Sequence, residues 1–132
     1  MLSGGCYCGA IRYQAKGPAS SQSMCHCSMC QGTTGAPCVA WFTVPRAKFQ
    51  LVSGNPTQFR SSNHATRSFC PACGTQLTFA DDALPGEIDI TTCSLDDSGL
   101  APPKRHIYTQ SQVAWLKISD GLPVFSGSSS GL

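Results

Sequence analysis

Nine cysteines stand in a chain of 132 residues, and seven of them fall into three tight clusters. These are Cys6-Tyr7-Cys8, Cys25-His26-Cys27-Ser28-Met29-Cys30 and Cys70-Pro71-Ala72-Cys73. Spacings of one or two residues let neighbouring thiols converge on one ion, and a tight turn can aim its backbone amides at the sulfurs. Gly74, directly after Cys73, is placed to supply the left-handed backbone that such a turn needs. Zinc favours a tetrahedron of thiolates at ~2.3 Å, with four protein ligands in a closed structural site and three in a reactive one. Seven ligands therefore divide as one site of four and one of three. Spacing leaves the partition formally open but favours Cys25, Cys27 and Cys30 as the self-contained set of three. The pairs Cys6-Cys8 and Cys70-Cys73 would then clip the N-terminal segment to a distant turn.

An alternative has both ions purely structural, with His26, Cys38 or Cys93 completing the second tetrahedron. His26 lies between two expected ligands, where its side chain should point away from their ion and serve a hydrogen bond behind them. Cys38 and Cys93 sit in apolar, strand-like surroundings and read as small core residues. The odd number of cysteines rules out complete intramolecular pairing. The N-terminus has neither a basic n-region nor an apolar h-region, so the expected address is the cytoplasm, where clustered thiols bind metal more often than they form disulfides.

Positioning these residues falls to short strands. Hydrophobic residues make up 41% and charged residues 12% of the chain, which excludes a disordered tail and a coiled coil. No apolar run reaches the ~20 residues of a membrane span. Strands are expected at Ile11–Ala15, Ala36–Val44, Phe49–Val52, Gln58–Arg60, Thr66–Phe69, Leu77–Phe79 and Ile88–Thr92. Turn signals separate them at intervals of roughly 8–12 residues, the pattern of an all-β domain. Only Ser28–Thr33 and a turn near Ser94-Leu95-Asp96-Asp97 look helical. One domain over residues 1–125 is expected, followed by a flexible tail at 126–132.

The formal charge of +2 assumes neutral cysteines. Seven thiolates around two Zn²⁺ would bring it to −1, and the nine Lys and Arg form no basic stripe, so nucleic acid is not an expected partner. Arg67, Lys104 and Arg105 read as solvated charges that could meet a carboxylate. His64 reads as an exposed loop residue, and His106 as either buried or catalytic. Trp41 and Trp115 read as packing residues. Asp96 and Asp97 could cap a short helix.

The cysteine order, together with Arg67-Ser68-Phe69-Cys70-Pro71-Ala72-Cys73-Gly74-Thr75, resembles the glutathione-dependent formaldehyde-activating enzyme family, which includes centromere protein V. Trp41-Phe42-Thr43-Val44-Pro45, Ser94-Leu95-Asp96-Asp97, His106-Ile107-Tyr108 and Asp120-Gly121-Leu122-Pro123 extend the resemblance over about residues 3 to 125. It implies a mainly β, Mss4-like tent of small antiparallel sheets with zinc-binding loops. It also implies two zinc ions: one structural, on Cys6, Cys8, Cys70 and Cys73, and one open, on Cys25, Cys27 and Cys30. The implied activity is a carbon–sulfur lyase acting on S-(hydroxymethyl)glutathione or another small thiol adduct. Glutathione is then the expected partner, with neither nucleic acid nor membrane, and a homodimer is compatible with the sequence. The competing class is a zinc-stabilised interaction module, which has no need of an incomplete metal shell.

Overall fold

The computed structural model describes residues 1–128. Its strands are β1 (Leu2–Gly5), β2 (Arg12–Ala15), β3 (Ser20–Cys25), β4 (Val39–Pro45), β5 (Phe49–Ser53), β6 (Thr57–Arg60), β7 (Ala65–Phe69), β8 (Gln76–Asp81), β9 (Glu87–Thr91) and β10 (His106–Ile107). A single α-helix, α1 (Ser28–Thr34), follows β3. The seven expected strands are all present, and the fold is mainly β with cysteine-bearing loops, as the family resemblance implies. The helical turn expected near Ser94 takes the form of two short 3₁₀ turns, Thr92–Ser94 and Ser98–Leu100, with an extended link between them. Asp97 caps the second by accepting from Gly99 N, while Asp96 pairs with Arg12.

Two sheets form. The smaller has the order β1-β2-β5 and the larger β10-β3-β4-β9-β8-β7-β6. All neighbours are antiparallel except β10, which lies parallel to β3. Side chains alternate across a strand, so each sheet has two distinct faces. From the larger sheet, Phe42, Val44, Ile88 and Ile90 enter one core cluster together with Ile11, Tyr13 and Ala15 of the smaller sheet region. Phe42, Val44 and Ile90 are fully enclosed there. This apolar layer is the main favourable contribution to folding, at ~25 cal/mol per Å² of buried apolar surface.

The alternate residues face the other way. Trp41 is directly opposite Thr91 on β9 and Ser23 on β3, and it belongs to a second cluster with Cys25, Cys30, Cys27, Val39, Phe79, Ile107 and Tyr108. The large sheet thus carries a structural core on one face and the three-cysteine segment on the other.

Backbone hydrogen bonds extend past the last strand. Tyr108 N donates to Gly127 O and Gln110 N to Ser126 O. The expected tail therefore begins inside the described part, and its last four residues, 129–132, lie outside the described residues.

Candidate metal centre

Cys6 and Cys8 lie in the loop that joins β1 to β2, and Cys70 and Cys73 in the loop that joins β7 to β8. One loop belongs to the small sheet and the other to the large sheet, yet all four sulfurs lie within 4.8 Å of one another. Sγ of Cys6 is 3.6 Å from that of Cys8, which is 3.8 Å from that of Cys70. A tetrahedron with ~2.3 Å metal–sulfur bonds has edges of ~3.8 Å, so the donor spacing fits a zinc-sized ion. Backbone amides are already aimed at the sulfurs: Ile11 N at Cys6 Sγ (3.2 Å), and Ala72 N and Cys73 N at Cys70 Sγ (3.4 Å each). Gly74 has φ +82°, and its N–H closes the turn onto Cys70 O at 2.8 Å. The left-handed conformation expected of it is present. Hydrogen bonds from Thr75, by side chain first and then backbone, hold the Cys73 thiol down to about 5.

The second set is built from three successive pieces of one segment. Cys25 ends β3, Cys27 is the N-cap of α1 and Cys30 sits in its first turn. The Cys27 side chain accepts from Cys30 N at 3.3 Å, so the capping bond that starts the helix also orients a ligand sulfur. The three sulfurs lie within 4.8 Å of one another, with Cys30 Sγ 3.4 Å from Cys25 Sγ. Such a set ionises unevenly. Hydrogen bonds from Cys25 and then Cys30 draw Cys27 down to about 2, while Cys25 is pushed up, chiefly by the same bond to Cys27. Three sulfurs at this separation, two of them buried, could all ionise only with a cation among them. No ligand atom of His26, Cys38 or Cys93 joins the set, so the alternative of a completed second tetrahedron has no donor among the described residues. All nine cysteines are free. Cys93 is exposed and Cys38 half-buried, so neither is the enclosed core residue expected from its neighbours.

His26 does point elsewhere. It is fully buried, and its Nε2 is 2.9 Å from Nδ1 of His106, whose Nε2 is 2.8 Å from Oδ2 of Asp120. Burial and then the charge of His106 hold His26 below its usual range, so its ring is neutral near pH 7. Asp120 is the acceptor at the end of this chain of contacts, and His26 Nδ1 is buried without a hydrogen-bond partner. The backbone around it is tied down as well: His26 N donates to Ile107 O (3.0 Å), and Gln31 Nε2 donates to His26 O (2.8 Å) and Ser111 O (2.9 Å). Sequence spacing placed a hydrogen bond behind the ligands but not its partners, which lie 80 and 94 positions further along the chain. His106 is buried and hydrogen-bonded. His64 is exposed as expected, 3.6 Å from Asp81.

Two further expectations are overturned. Trp115 is 71% exposed and packs in no core, whereas Trp41 is buried. Arg67 is no solvated surface charge: only 3% of it is exposed. Its side chain reaches across the outer face of the large sheet and donates from an NH2 nitrogen to Cys30 Sγ at 3.7 Å. The guanidinium carbon lies 5.0 Å from the Phe79 ring centroid and 5.9 Å from that of Trp41. Neighbouring residues signalled a strand, and alternation within that strand is what turns Arg67 inward.

The chain is similar to known proteins. The model of the family described as glutathione-dependent formaldehyde-activating enzyme matches residues 1–111. A Halomonas elongata protein provisionally named a glutathione-dependent formaldehyde-activating enzyme is 25% identical over 127 residues, covering 89% of this chain and 81% of its own length. An uncharacterised lyase of Schizosaccharomyces pombe is 35% identical over 77 residues, covering 58% of this chain and 56% of its own. The crystal structure of a Rhodobacter sphaeroides protein superposes with a TM-score of 0.61 at 19% identity, over 93% of this chain and 98% of that one, which is a likeness of fold. The match over most of the chain, with both cysteine sets inside it, places this protein in the glutathione-dependent formaldehyde-activating enzyme family.

Proposed function

We propose that this chain is a zinc-dependent carbon–sulfur lyase acting on the adduct of a small thiol, glutathione first among them, with an aldehyde. In this reading Cys6, Cys8, Cys70 and Cys73 hold a structural zinc, and Cys25, Cys27 and Cys30 hold a second zinc that has one position open. The observation that carries it is the count of donors: four sulfurs in one set and three in the other, with no fourth Cys, His, Asp or Glu atom in the second among the described residues. The family match and the lyase name of a relative support the reaction class.

A zinc ion on three thiolates supplies one exchangeable position that takes a further thiol as its thiolate. The chain's own residues do the rest. The Cys27 cap and the first turn of α1 fix two sulfurs relative to the strand that bears the third. The bonds from His26 and Gln31 to β10 and its following turn keep that segment from shifting when a ligand arrives. Trp41 and Phe79 wall the site on the sheet side and keep it poorly hydrated, which strengthens charge interactions inside it. In the synthetic direction the thiolate sulfur of glutathione attacks the aldehyde carbon, a C–S bond forms as the C=O π bond opens, and the oxygen takes up a proton in place of the one the thiol gave up. The lyase direction is the reverse.

The test is to add glutathione to the Co²⁺-substituted protein and record the sulfur-to-metal charge-transfer absorption. Growth of that absorption, saturating at one glutathione per chain, is expected. A spectrum unmoved by millimolar glutathione contradicts coordination of the substrate thiol. Catalysis is then measured against the uncatalysed reaction, because formaldehyde adds to thiols unaided.

A further inference from the structure

Arg67 is a buried cation with no carboxylate partner among the described residues. The ion pairs among the described residues are Arg12–Asp96, Arg60–Asp82, His64–Asp81 and His106–Asp120, and Arg67 is in none of them. Its Nε and NH1 nitrogens are enclosed without any hydrogen-bond acceptor. The one polar atom it does reach is Cys30 Sγ. Its other neighbours are the rings of Phe79 and Trp41, which favour a cation over their faces but carry no net charge. A guanidinium cannot shed its proton to escape such a place. Burial of an unpaired charge is among the most costly arrangements a fold can contain. The chain tolerates it beside a cluster of three thiols, the one group nearby that becomes anionic when it takes a metal.

We propose that Arg67 is the built-in counter-charge of the three-cysteine centre and sets its affinity for a fourth thiolate. This rests on the reading of Cys25, Cys27 and Cys30 as an open zinc site. A divalent ion on three thiolates carries a net charge of −1, and an incoming thiolate raises this to −2. With Arg67 alongside, the same two states are 0 and −1. In an apolar enclosure the difference decides whether a fourth anion binds, since charges there are screened far less than in water. The N–H···S bond to Cys30 adds a second effect. It withdraws electron density from that sulfur, as charge-assisted hydrogen bonds do, and leaves the metal a better acceptor for another ligand.

Arg67 touches the ligand set and no reacting atom, so it is a positioning residue for charge rather than a catalytic one. The test compares wild type with Arg67→Met, which keeps bulk but not charge, and Arg67→Lys, which keeps charge without the planar fork. Without any thiol, Zn²⁺ affinity is measured by competition with a chromophoric chelator and the Co²⁺ charge-transfer energy by absorption. Arg67→Met is expected to weaken one of the two zinc sites by ~10-fold or more and to move the band to lower energy, with Arg67→Lys within ~3-fold of wild type. With glutathione as probe, Arg67→Met should weaken the fourth-ligand Kd by ~10-fold and Arg67→Lys should recover most of it. If Arg67→Met does not fold, Arg67→Gln takes its place. Wild-type metal affinity and band position in the neutral variant overturn the inference. So does a lysine variant that loses affinity as far as the neutral one, because charge is then not what Arg67 supplies. If glutathione leaves even the wild-type spectrum unchanged, the thiol-adduct reading fails, while the thiol-free measurements still decide the role of Arg67.

Discussion

At the scale of single residues, burial changes what a charged group does, and Asp89 gives the case with the clearest sign. It stands on β9 between Thr43 of β4 and Phe79 of β8. Loss of hydration pushes its carboxyl up to about 6, against a 2.6 Å hydrogen bond from Thr43 Oγ1 that acts the other way. In the unfolded chain the same group titrates near 3.8. Between these values the folded state binds the extra proton, so this group's contribution to stability is full below about pH 4 and is lost as pH rises through about 6. Asp89→Asn removes that penalty while keeping an oxygen for Thr43. Its stability relative to wild type, read from urea denaturation at a series of pH values, should rise by about 1–3 kcal/mol between pH 4.5 and pH 7.5. A flat difference across that range contradicts the buried-carboxylate account. Comparing the two proteins at each pH cancels the protonation of cysteines, which they share. Arg67 shows how such burial escapes a reading by residue type. Nothing in Thr66-Arg67-Ser68 marks the arginine as internal until β7 is paired in register with β8, which sets Arg67 opposite Phe79.

Elements were legible where side chains alternate and opaque where tertiary pairing alone makes the strand. β4, with Trp41-Phe42-Thr43-Val44, and β9, with Ile88-Asp89-Ile90-Thr91, declare a polar or aromatic face and an aliphatic one. β1 (Leu-Ser-Gly-Gly) and β3 (Ser-Ser-Gln-Ser-Met-Cys) have little β propensity of their own and were not foreseen. Their backbone is held extended by β2 in one case and by β4 and β10 in the other. The turns follow the reverse logic, because there the glycine is the signal. Gly54 and Gly74 both have φ near +80°, yet their surroundings differ. A Cβ on Gly74 meets nothing within 4 Å, whereas one on Gly54 falls 2.3 Å from Ala10 O. Gly74→Ala should therefore cost only the left-handed strain, about 1–2 kcal/mol. Gly54→Ala should cost more, since the β5–β6 turn must also move away from the β1–β2 loop. Denaturation midpoints of the two variants check the order, and equal losses contradict it.

At the scale of the whole molecule, two sheets share one apolar layer, and the four-cysteine set joins a loop of one to a loop of the other. The three-cysteine set belongs to a single sheet and the helix that follows it, on the face turned away from that layer. The two sets therefore differ in what the fold asks of them. In the proposed reading, loss of an ion from the first would unclip the sheets, and loss from the second would leave them packed. Spacing favoured this grouping of the sulfurs, because each pair or triplet is local, but left the partition formally open. The segregation of the two sets to different parts of the sandwich was not legible there, because it depends on which strands become neighbours. Among the described residues no helix is long and apolar enough to cross a membrane.

The most direct measurement is the metal content and stability of wild type beside Cys27→Ala and Cys73→Ala, by elemental analysis and thermal denaturation. Two zinc ions per wild-type chain are expected. Cys27→Ala should lose one of them and stay folded, whereas Cys73→Ala should unfold or aggregate, because a structural zinc contributes folding free energy directly. Equal loss of stability in the two variants, or a wild-type chain that holds fewer than two ions, would contradict the division into a closing site and an open one.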